Sequence, residues 1–230
     1  MSLAIVVIGA GRMGQAVASV AQERGHHILA VLDRHTVAEL PAALAGADVA
    51  IEFTVPEAAA GTVRACIATG TPIVSGTTGW QHDLDAVRAE VLATNATLFW
   101  AANFAIGVYR FTQLVERAAA LLTADQGFDA HLIDVHHAAK RDAPSGTALA
   151  LVAAARTAGG RSVPVTSVRT GAVPGTHELV FDAAYETITL RHEARDRRVF
   201  AAGAVVAAEW LIGRTGVFTM SDMLDGEESL

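Results

Sequence analysis

Lysine is nearly absent from this chain: Lys140 is the only one among 230 residues, beside 16 arginines. Average usage would place about a dozen lysines in a chain of this length. The two cations exchange freely on a surface but not in a site, because a compact ammonium and a planar guanidinium differ in shape, donors and titration. Lys140 is therefore a candidate functional residue, and chance retention is the alternative.

Cysteine, clustered positive charge and long apolar runs are also scarce, and each absence excludes a class of protein. The single cysteine, Cys66, excludes an intrachain disulfide and a cysteine-rich zinc site, and its setting predicts a buried helical thiol. The net charge of −7 and the lack of Lys/Arg runs argue against a nucleic-acid partner. The longest apolar stretch, 199–213, is too short to span a membrane, and the start at 3–8 lacks a basic leader. We therefore expect a cytoplasmic protein with no membrane partner.

The first hundred residues alternate short apolar runs with stretches at helical spacing. Strands separated by helices of about 10–15 residues are typical of parallel βαβ units. The pattern predicts strands at 3–8, 28–32, 49–53, 72–75 and 97–100, and helices at 13–23, 56–68 and 83–93. We therefore expect an α/β fold whose first part is a Rossmann-like, doubly wound parallel sheet.

The second half follows a different order and predicts an α+β domain with a mixed sheet. The predicted helices are 107–122, 146–158 and 198–212, and the predicted strands are 130–135, 163–169, 178–181 and 187–192. The last two strands alternate as an antiparallel pair exposed on one face. The predicted organisation is a dinucleotide-binding domain at 1–106, completed by 214–230, and a second domain at 107–213.

A glycine-rich turn, G-x-G-x-x-G, follows the first predicted strand and precedes a helix. In this pattern the first glycine permits the tight turn, the second admits a pyrophosphate to the backbone, and the third lets helix and strand pack closely. The turn predicts a nicotinamide-dinucleotide site, and an ordinary glycine turn is the alternative. The predicted contacts are Gly9, Gly11, Arg12, Met13 and Gly14.

The second predicted strand ends at Asp33, 19 residues beyond Gly14, where a carboxylate can accept hydrogen bonds from an adenosine ribose. Asp33 favours NADH because it repels a 2′-phosphate, whereas the neighbouring Arg34 can bind that phosphate. The pair therefore predicts use of either NADH or NADPH.

Two further loops follow the carboxyl ends of predicted strands, the edge where open α/β sheets bind ligands. We expect them to meet the nicotinamide end of the cofactor, although ordinary turn chemistry is the alternative. Their residues are Gly76, Thr77 and Thr78 in one loop, and Ala102, Asn103 and Phe104 in the other.

The densest polar cluster combines a proton donor, an ammonium and a helix N-terminus, which suits a small dianionic substrate. It contains His136, His137, Lys140, Ser145, Gly146 and Thr147. Adjacent histidines on a strand point to opposite faces, and no third ligand is spaced nearby, so no metal site is expected. A capped helix with surface histidines is the alternative.

The other seven histidines lie at element ends or in loops and are expected to be solvated. They are His26, His27, His35, His82, His131, His177 and His192. Of these, His177 and His192 could approach the polar cluster from within the second domain.

At these residues the chain resembles the dihydrodipicolinate reductase family, also called 4-hydroxy-tetrahydrodipicolinate reductase, almost end to end. The most specific part is the string His-His-x-x-Lys-x-Asp-Ala-Pro-Ser-Gly-Thr-Ala from His136 to Ala148. The likeness also covers the glycine-rich turn and segments 51–54, 76–79, 102–107 and 200–204. Asp134 and Thr176 depart from it, because the family often has glutamate at both places.

The resemblance implies NAD(P)H-dependent reduction of 4-hydroxy-tetrahydrodipicolinate to tetrahydrodipicolinate with loss of water, in diaminopimelate and lysine biosynthesis. It implies His136 as general acid/base, Lys140 as a second proton donor, and a homotetramer assembled through the substrate-binding second domain. It also implies substrate contacts from His137, Ser145, Gly146 and Thr147. The alternatives are an NAD(P)-dependent dehydrogenase or imine reductase of another small dicarboxylate or amino acid, and a nicotinamide-nucleotide sensor without turnover.

Overall fold

The computed structural model describes residues 1–123 and 127–226 and divides the chain into two compact units. Unit 1 comprises Met1–Ala105 and the segment from Arg197 onward, and unit 2 comprises Ile106–Asp196. Within the described ranges, no helix combines the length and the apolar character that a bilayer crossing requires.

The elements of both units follow one another along the chain. Unit 1 opens with β1 (Ala4–Ile8), α1 (Arg12–Glu23), β2 (His27–Leu32), α2 (Leu40–Leu44), β3 (Val49–Glu52), α3 (Pro56–Thr69), β4 (Ile73–Ser75), α4 (Gln81–Thr94) and β5 (Thr97–Trp100). Unit 2 contains α5 (Ile106–Leu122), β6 (Asp129–His136), α6 (Gly146–Gly159), β7 (Val165–Arg169), β8 (Thr176–Asp182) and β9 (Thr187–Glu193). The chain then returns to unit 1 as α7 (Arg198–Leu211), β10 (Gly216–Phe218) and α8 (Met220–Asp225).

The sheet of unit 1 is parallel throughout, in the order β10-β5-β4-β3-β1-β2. Its inner strands are apolar without alternation, and β3 is buried at every position, because helices cover both faces. The strand order reverses at β1, which lies between β2 and β3. Such a reversal opens a crevice at the carboxyl ends of the strands, where doubly wound sheets bind ligands.

The sheet of unit 2 is mixed, in the order β7-β6-β8-β9. The pair β6–β7 is parallel, and β8 is antiparallel to both β6 and β9. One face packs on α5 and α6 through a core that includes Phe111, Leu132, Leu151 and Phe181. The register sets Asp134, near the buried end of β6, opposite His177 of β8.

The fold class is as predicted, whereas three details differ. The predicted second domain extended to residue 213, but α7 packs against α1, β3, β4 and β5 and so belongs to unit 1. The short helix α2 was not predicted, because five residues are too few to show a period. The helix α8 was not predicted, although Thr219 and Asp222 form a capping box that marks its start. The predicted completion of the first domain by 214–230 includes residues 227–230, which lie outside the described ranges.

Candidate active site

The glycine-rich turn between β1 and α1 has the close approaches that a dinucleotide site requires. Gly9 adopts a φ of +108°, and a Cβ there would lie 2.1 Å from a backbone carbonyl oxygen of the loop after β3. A Cβ at Gly14 would lie 1.7 Å from the carbonyl oxygen of Gly9, so only glycine lets α1 pack on the turn. Gly11 has open space beside it, Arg12 is exposed and Met13 is half-buried. The turn therefore fits a pyrophosphate at the N-terminus of α1.

A cleft of about 530 Å³ beside this turn is lined by both Asp33 and Arg34. The Oδ1 atom of Asp33 accepts hydrogen bonds from the backbone N–H groups of His35 and Thr36, at 2.8 and 3.0 Å. These bonds hold the pKa of Asp33 below its ordinary value. The exposed Arg34 donates from Nε to the His35 ring at 3.1 Å. The rim of the cleft thus carries one fixed anion and one cation.

A buried carboxylate, Glu52 at the end of β3, forms hydrogen bonds that connect the loops following β3 and β4. It is fully buried. It accepts hydrogen bonds from the backbone N–H of Thr54 at 2.7 Å, from the Ser75 hydroxyl at 2.7 Å, and from the hydroxyls of Thr54 and Thr77. Because these four groups all donate to it, Glu52 sets the path of both loops at the edge of this cleft.

We expect Glu52→Gln to lower the free energy of unfolding by about 1.5–3 kcal/mol, because hydrogen bonds to a charged group are lost and an amide donor then faces hydroxyl donors. Urea denaturation monitored by circular dichroism measures the change. Glu57→Gln, at an exposed glutamate in the first turn of α3, is the matched control and should cost less than about 1 kcal/mol. Equal losses would show that the Glu52 network contributes nothing specific.

The loops predicted at the nicotinamide end direct several side chains inward. A Cβ at Gly76 would lie 2.1 Å from the Phe53 ring, so glycine is required there for packing. Thr77 is buried with its hydroxyl on the Glu52 carboxylate, and Phe104 is buried with its ring 5.8 Å from that of Phe53. These residues shape the loops from inside. The remaining predicted contacts are exposed or half-buried: Thr78, Ala102 and Asn103.

In unit 2 the polar cluster is built around the fully buried carboxylate of Asp134. Its Oδ2 atom accepts three hydrogen bonds, from Arg169 Nη2 at 2.8 Å, Ser145 N at 2.9 Å and Ser167 Oγ at 3.1 Å. Burial alone would raise the pKa of Asp134, but the hydrogen bonds from Arg169 and Ser145 outweigh it and hold that pKa below its usual range. Asp134 is therefore a fixed anion inside the unit.

Three histidines lie in a row beginning at this carboxylate. The Nδ1 atom of His136 is 2.9 Å from Asp134 Oδ1, and the Nε2 atom of His177 is 3.5 Å from the same oxygen. The rings of His136 and His177 meet edge to face, with centroids 5.3 Å apart, and the His192 ring is stacked 6.5 Å beyond. The row follows from the register, which sets Asp134 opposite His177 and His177 opposite His192 on one face of the sheet.

Burial lowers the pKa of all three imidazoles. It lowers the pKa of His177 to about 4, and the neighbouring His136 adds to the effect. Burial also lowers the pKa of His136, where the charges of Lys140 and Arg169 act in the same direction and Asp134 opposes them. His136 therefore combines a perturbed titration with a fixed anion at its side, which is typical of a proton-transfer group.

Lys140 and the start of α6 occupy the loop after β6. The Lys140 ammonium lies 2.8 Å from Asp142 Oδ1, and its side chain is 23% exposed. Ser145 is the N-cap of α6: its Oγ accepts from Ala148 N at 3.1 Å and lies 3.2 Å from His177 Nε2. The other predicted substrate contacts remain accessible, because Gly146 is exposed and Thr147 and His137 are half-buried. The loop thus presents an ammonium and a helix N-terminus, an anion-binding combination.

Asp134, His136 and His177 each bring one potential metal-ligand atom to within 4.8 Å of the others. The prediction that no third ligand lies near the histidine pair is therefore wrong. Arg169 already neutralises Asp134 at 2.8 Å, and its charge disfavours a divalent ion beside it. The cluster fits proton transfer better than metal binding, and a site without metal stays our prediction.

Two of the histidines expected to be solvated are buried. His26 accepts a hydrogen bond at Nδ1 from Leu3 N, and its Nε2 lies 2.7 Å from Glu209 in unit 1. His177 is buried in the row described above.

Asp134 and Glu52 were also not predicted as site residues. Asp134 lies two residues before His136, and residues two apart on a strand share a face, so this spacing was the available signal. For Glu52 the signal was an acidic residue inside an otherwise apolar strand.

Comparison with known proteins covers both units. The N-terminal model of dihydrodipicolinate reductase matches residues 3–104 and the C-terminal model matches residues 107–224. A curated 4-hydroxy-tetrahydrodipicolinate reductase of Xanthomonas campestris pv. campestris is 41% identical over 237 residues, covering 96% of this chain and 97% of its own. The enzyme of the same name from Christiangramia forsetii is 34% identical over 236 residues, with the same coverage.

A solved structure shares the fold. The dipicolinate-bound dihydrodipicolinate reductase from Paenisporosarcina sp. TG-14 superposes with a TM-score of 0.82 at 20% identity, covering 97% of this chain and 100% of that one. The family models, the two curated relatives and the fold agree with the resemblance seen in the sequence. The chain is an oxidoreductase that belongs to the dihydrodipicolinate reductase family.

Proposed function

We propose that this chain reduces 4-hydroxy-tetrahydrodipicolinate to tetrahydrodipicolinate with NADH or NADPH, a step of diaminopimelate and lysine biosynthesis. The substrate gains one hydride and one proton and releases one water. The observation that carries the proposal is the cluster in unit 2, where a buried imidazole, an ammonium and a helix N-terminus suit a small dicarboxylate. The dipicolinate bound by the related solved enzyme supports a substrate of this class.

In unit 2, some residues would transfer protons and others would bind the substrate carboxylates. His136 would act as general acid/base and Lys140 would donate a second proton or a charge-assisted hydrogen bond. The N–H groups of Gly146 and Thr147, with the Ser145 and His137 side chains, would hold the carboxylates. The Ser145 hydroxyl also caps α6, where it accepts a hydrogen bond from Ala148 N.

Unit 1 would hold the cofactor, whose nicotinamide supplies the hydride when bound. The close packing at Gly9 and Gly14 and the open space at Gly11 fit a pyrophosphate. Asp33 and Arg34 at the rim of the cleft would contact the adenosine ribose and a 2′-phosphate. The loops that Glu52 fixes would line the nicotinamide end.

Oxidation of NADH or NADPH at 340 nm, with substrate generated enzymatically, tests the proposal. We expect turnover that depends on this substrate and inhibition by pyridine-2,6-dicarboxylate. Turnover only with a different imine or amino acid would reassign the substrate. Binding of NADH without turnover on any small dicarboxylate would instead leave a nucleotide sensor.

The chain should use NADH and NADPH with similar efficiency, because Asp33 favours NADH and Arg34 favours NADPH. We expect kcat/KM values for NADH and NADPH within about a hundredfold of each other, a difference of less than roughly 3 kcal/mol. Arg34→Ala should reduce kcat/KM for NADPH more than for NADH, measured with saturating substrate. Equal losses with the two cofactors would show that Arg34 does not reach the 2′-phosphate.

We further propose that the chain acts in the cytoplasm as a homotetramer assembled through unit 2, as the resemblance implies. The sheet face opposite the histidine row carries Ile133 and Val135, which are half-buried, and Val168, which is 37% exposed. Light scattering after size-exclusion chromatography measures the mass, and a monomer would contradict this assembly.

A further inference from the structure

The two oxygens of Asp134 are used differently. Oδ2 accepts three hydrogen bonds, from Ser145 N, Ser167 Oγ and Arg169 Nη2, at 2.8–3.1 Å. Within the part of the chain that the structure describes, Oδ1 faces imidazole nitrogens, at 2.9 Å for His136 Nδ1 and 3.5 Å for His177 Nε2. One oxygen therefore anchors the carboxylate, and the other is directed at the histidine row.

The short contact between Asp134 Oδ1 and His136 Nδ1 is close enough for a hydrogen bond but is not aligned as one. Among the described residues, neither atom has another hydrogen-bond partner, although both are buried. A buried donor and a buried acceptor at this distance satisfy each other when the ring turns slightly. Hydrogen bonds of catalytic groups are often misaligned in the ligand-free state and tighten when substrate binds.

The opposite edge of the His136 ring is kept clear. A Cβ added at Gly175 would lie 3.0 Å from His136 Nε2, closer than side chains normally approach. Gly175 is not among the residues with a positive φ, so its backbone does not require glycine. The space beside Nε2 accounts for the glycine, because a side chain there would cover Nε2, whereas Nδ1 already faces Asp134.

We propose that Asp134 is a positioning residue for His136: its Oδ1 fixes the Nδ1 edge of the imidazole, so that Nε2 is the nitrogen that gives its proton to the substrate. This inference rests on the proposed function. In the step, the N–H bond at Nε2 breaks and a bond from that proton to the substrate forms. The imidazolium becomes a neutral imidazole whose remaining proton, on Nδ1, faces Asp134. The carboxylate orients the ring and stays unprotonated.

The groups around His136 predict how its titration responds to substitution. Asp134 on β6 raises the pKa of His136, whereas Arg169 on β7 and Lys140 in the loop after β6 lower it. His177 on β8 is a further titratable neighbour, and its pKa of about 4 keeps it neutral near pH 7. Removing the Asp134 charge should therefore lower the pKa of His136, and removing the Arg169 charge should raise it.

The test compares Asp134→Asn with two other variants. NMR titration of the His136 Cε1–H resonance, identified with His136→Asn, should show the pKa lower by about one unit or more in Asp134→Asn. The alkaline limb of the kcat profile should move to lower pH by a similar amount, and kcat at pH 7.5 should fall at least about tenfold. The KM for substrate and the dissociation constant of NADH should change by less than about threefold.

Ser167→Ala is the matched control, because it removes one Oδ2 hydrogen bond and keeps the charge at Oδ1. Its His136 titration should match that of the wild type. Arg169→Gln should move the titration the other way, which keeps the inference testable if Asp134→Asn does not fold. An unchanged His136 titration in Asp134→Asn, or an equal shift in Ser167→Ala, would overturn the positioning role. An inactive wild type with the expected NMR shifts would overturn the proposed function alone.

Discussion

Lys140→Ala is expected to lower kcat by at least about a hundredfold, because a positioned acid/base group contributes roughly 10²–10⁴ in rate. The ammonium lies 2.8 Å from Asp142 and is only partly exposed, so this ion pair fixes its position in the loop that precedes α6. Steady-state turnover with substrate and NADH measures the loss. NADH binding, followed by fluorescence, should stay the same, because the glycine-rich turn belongs to unit 1.

Lys140→Arg should fail to restore turnover, although it keeps the charge. The guanidinium is wider than an ammonium and effectively never releases its proton. Arg141→Ala, at the exposed neighbouring residue, is the control for a charge lost from the same loop and should keep near-normal kcat. Near-normal turnover in Lys140→Arg would mean that the only lysine of the chain has no catalytic role.

Gly14→Ala is expected to destabilise the protein by about 3 kcal/mol or more and to abolish measurable NADH binding. The added methyl group would lie 1.7 Å from the carbonyl oxygen of Gly9. Because that neighbour is backbone, α1 must move away from the turn that it covers. Urea denaturation measures the stability, and isothermal titration measures the binding of NADH.

Gly11→Ala separates packing from binding within the same turn. Gly11 has a φ of −70° and nothing within 4 Å of an added Cβ. The free energy of unfolding of Gly11→Ala should therefore differ from that of the wild type by less than about 1 kcal/mol. NADH binding should still weaken, because the methyl group enters the space that a pyrophosphate would use. Equal destabilisation by both substitutions would contradict the close packing at Gly14.

The sequence predicted the features that local pattern encodes. The apolar runs and helical periods located β1 to β5, and the glycine-rich turn lies between β1 and α1 as expected. The predicted antiparallel pair at 178–181 and 187–192 is confirmed as β8 and β9. Each of these features depends on residues within about one element of one another, where the period of the chain reports the backbone directly.

The sequence did not predict features that depend on strand register. His177 is 43 positions from Asp134 in the sequence, and only the pairing of β6 with β8 brings it to the same carboxylate. The limit of the second domain was missed for a similar reason. An apolar helix such as α7 packs equally well on either sheet as judged by composition, and its position follows from contacts with α1 and β3 to β5.

The return of the chain to unit 1 has a consequence for synthesis on the ribosome. After Ala105 has emerged, β5 still lacks its neighbour β10, and the surface that α7 covers stays bare until about 110 more residues have followed. At about 5–20 residues per second this interval lasts roughly 6–20 s. Unit 2 is continuous in sequence and can complete its own core during that time. Nascent unit 1 is therefore the part of the molecule most exposed to strand-edge aggregation, and the part where chaperone dependence should concentrate.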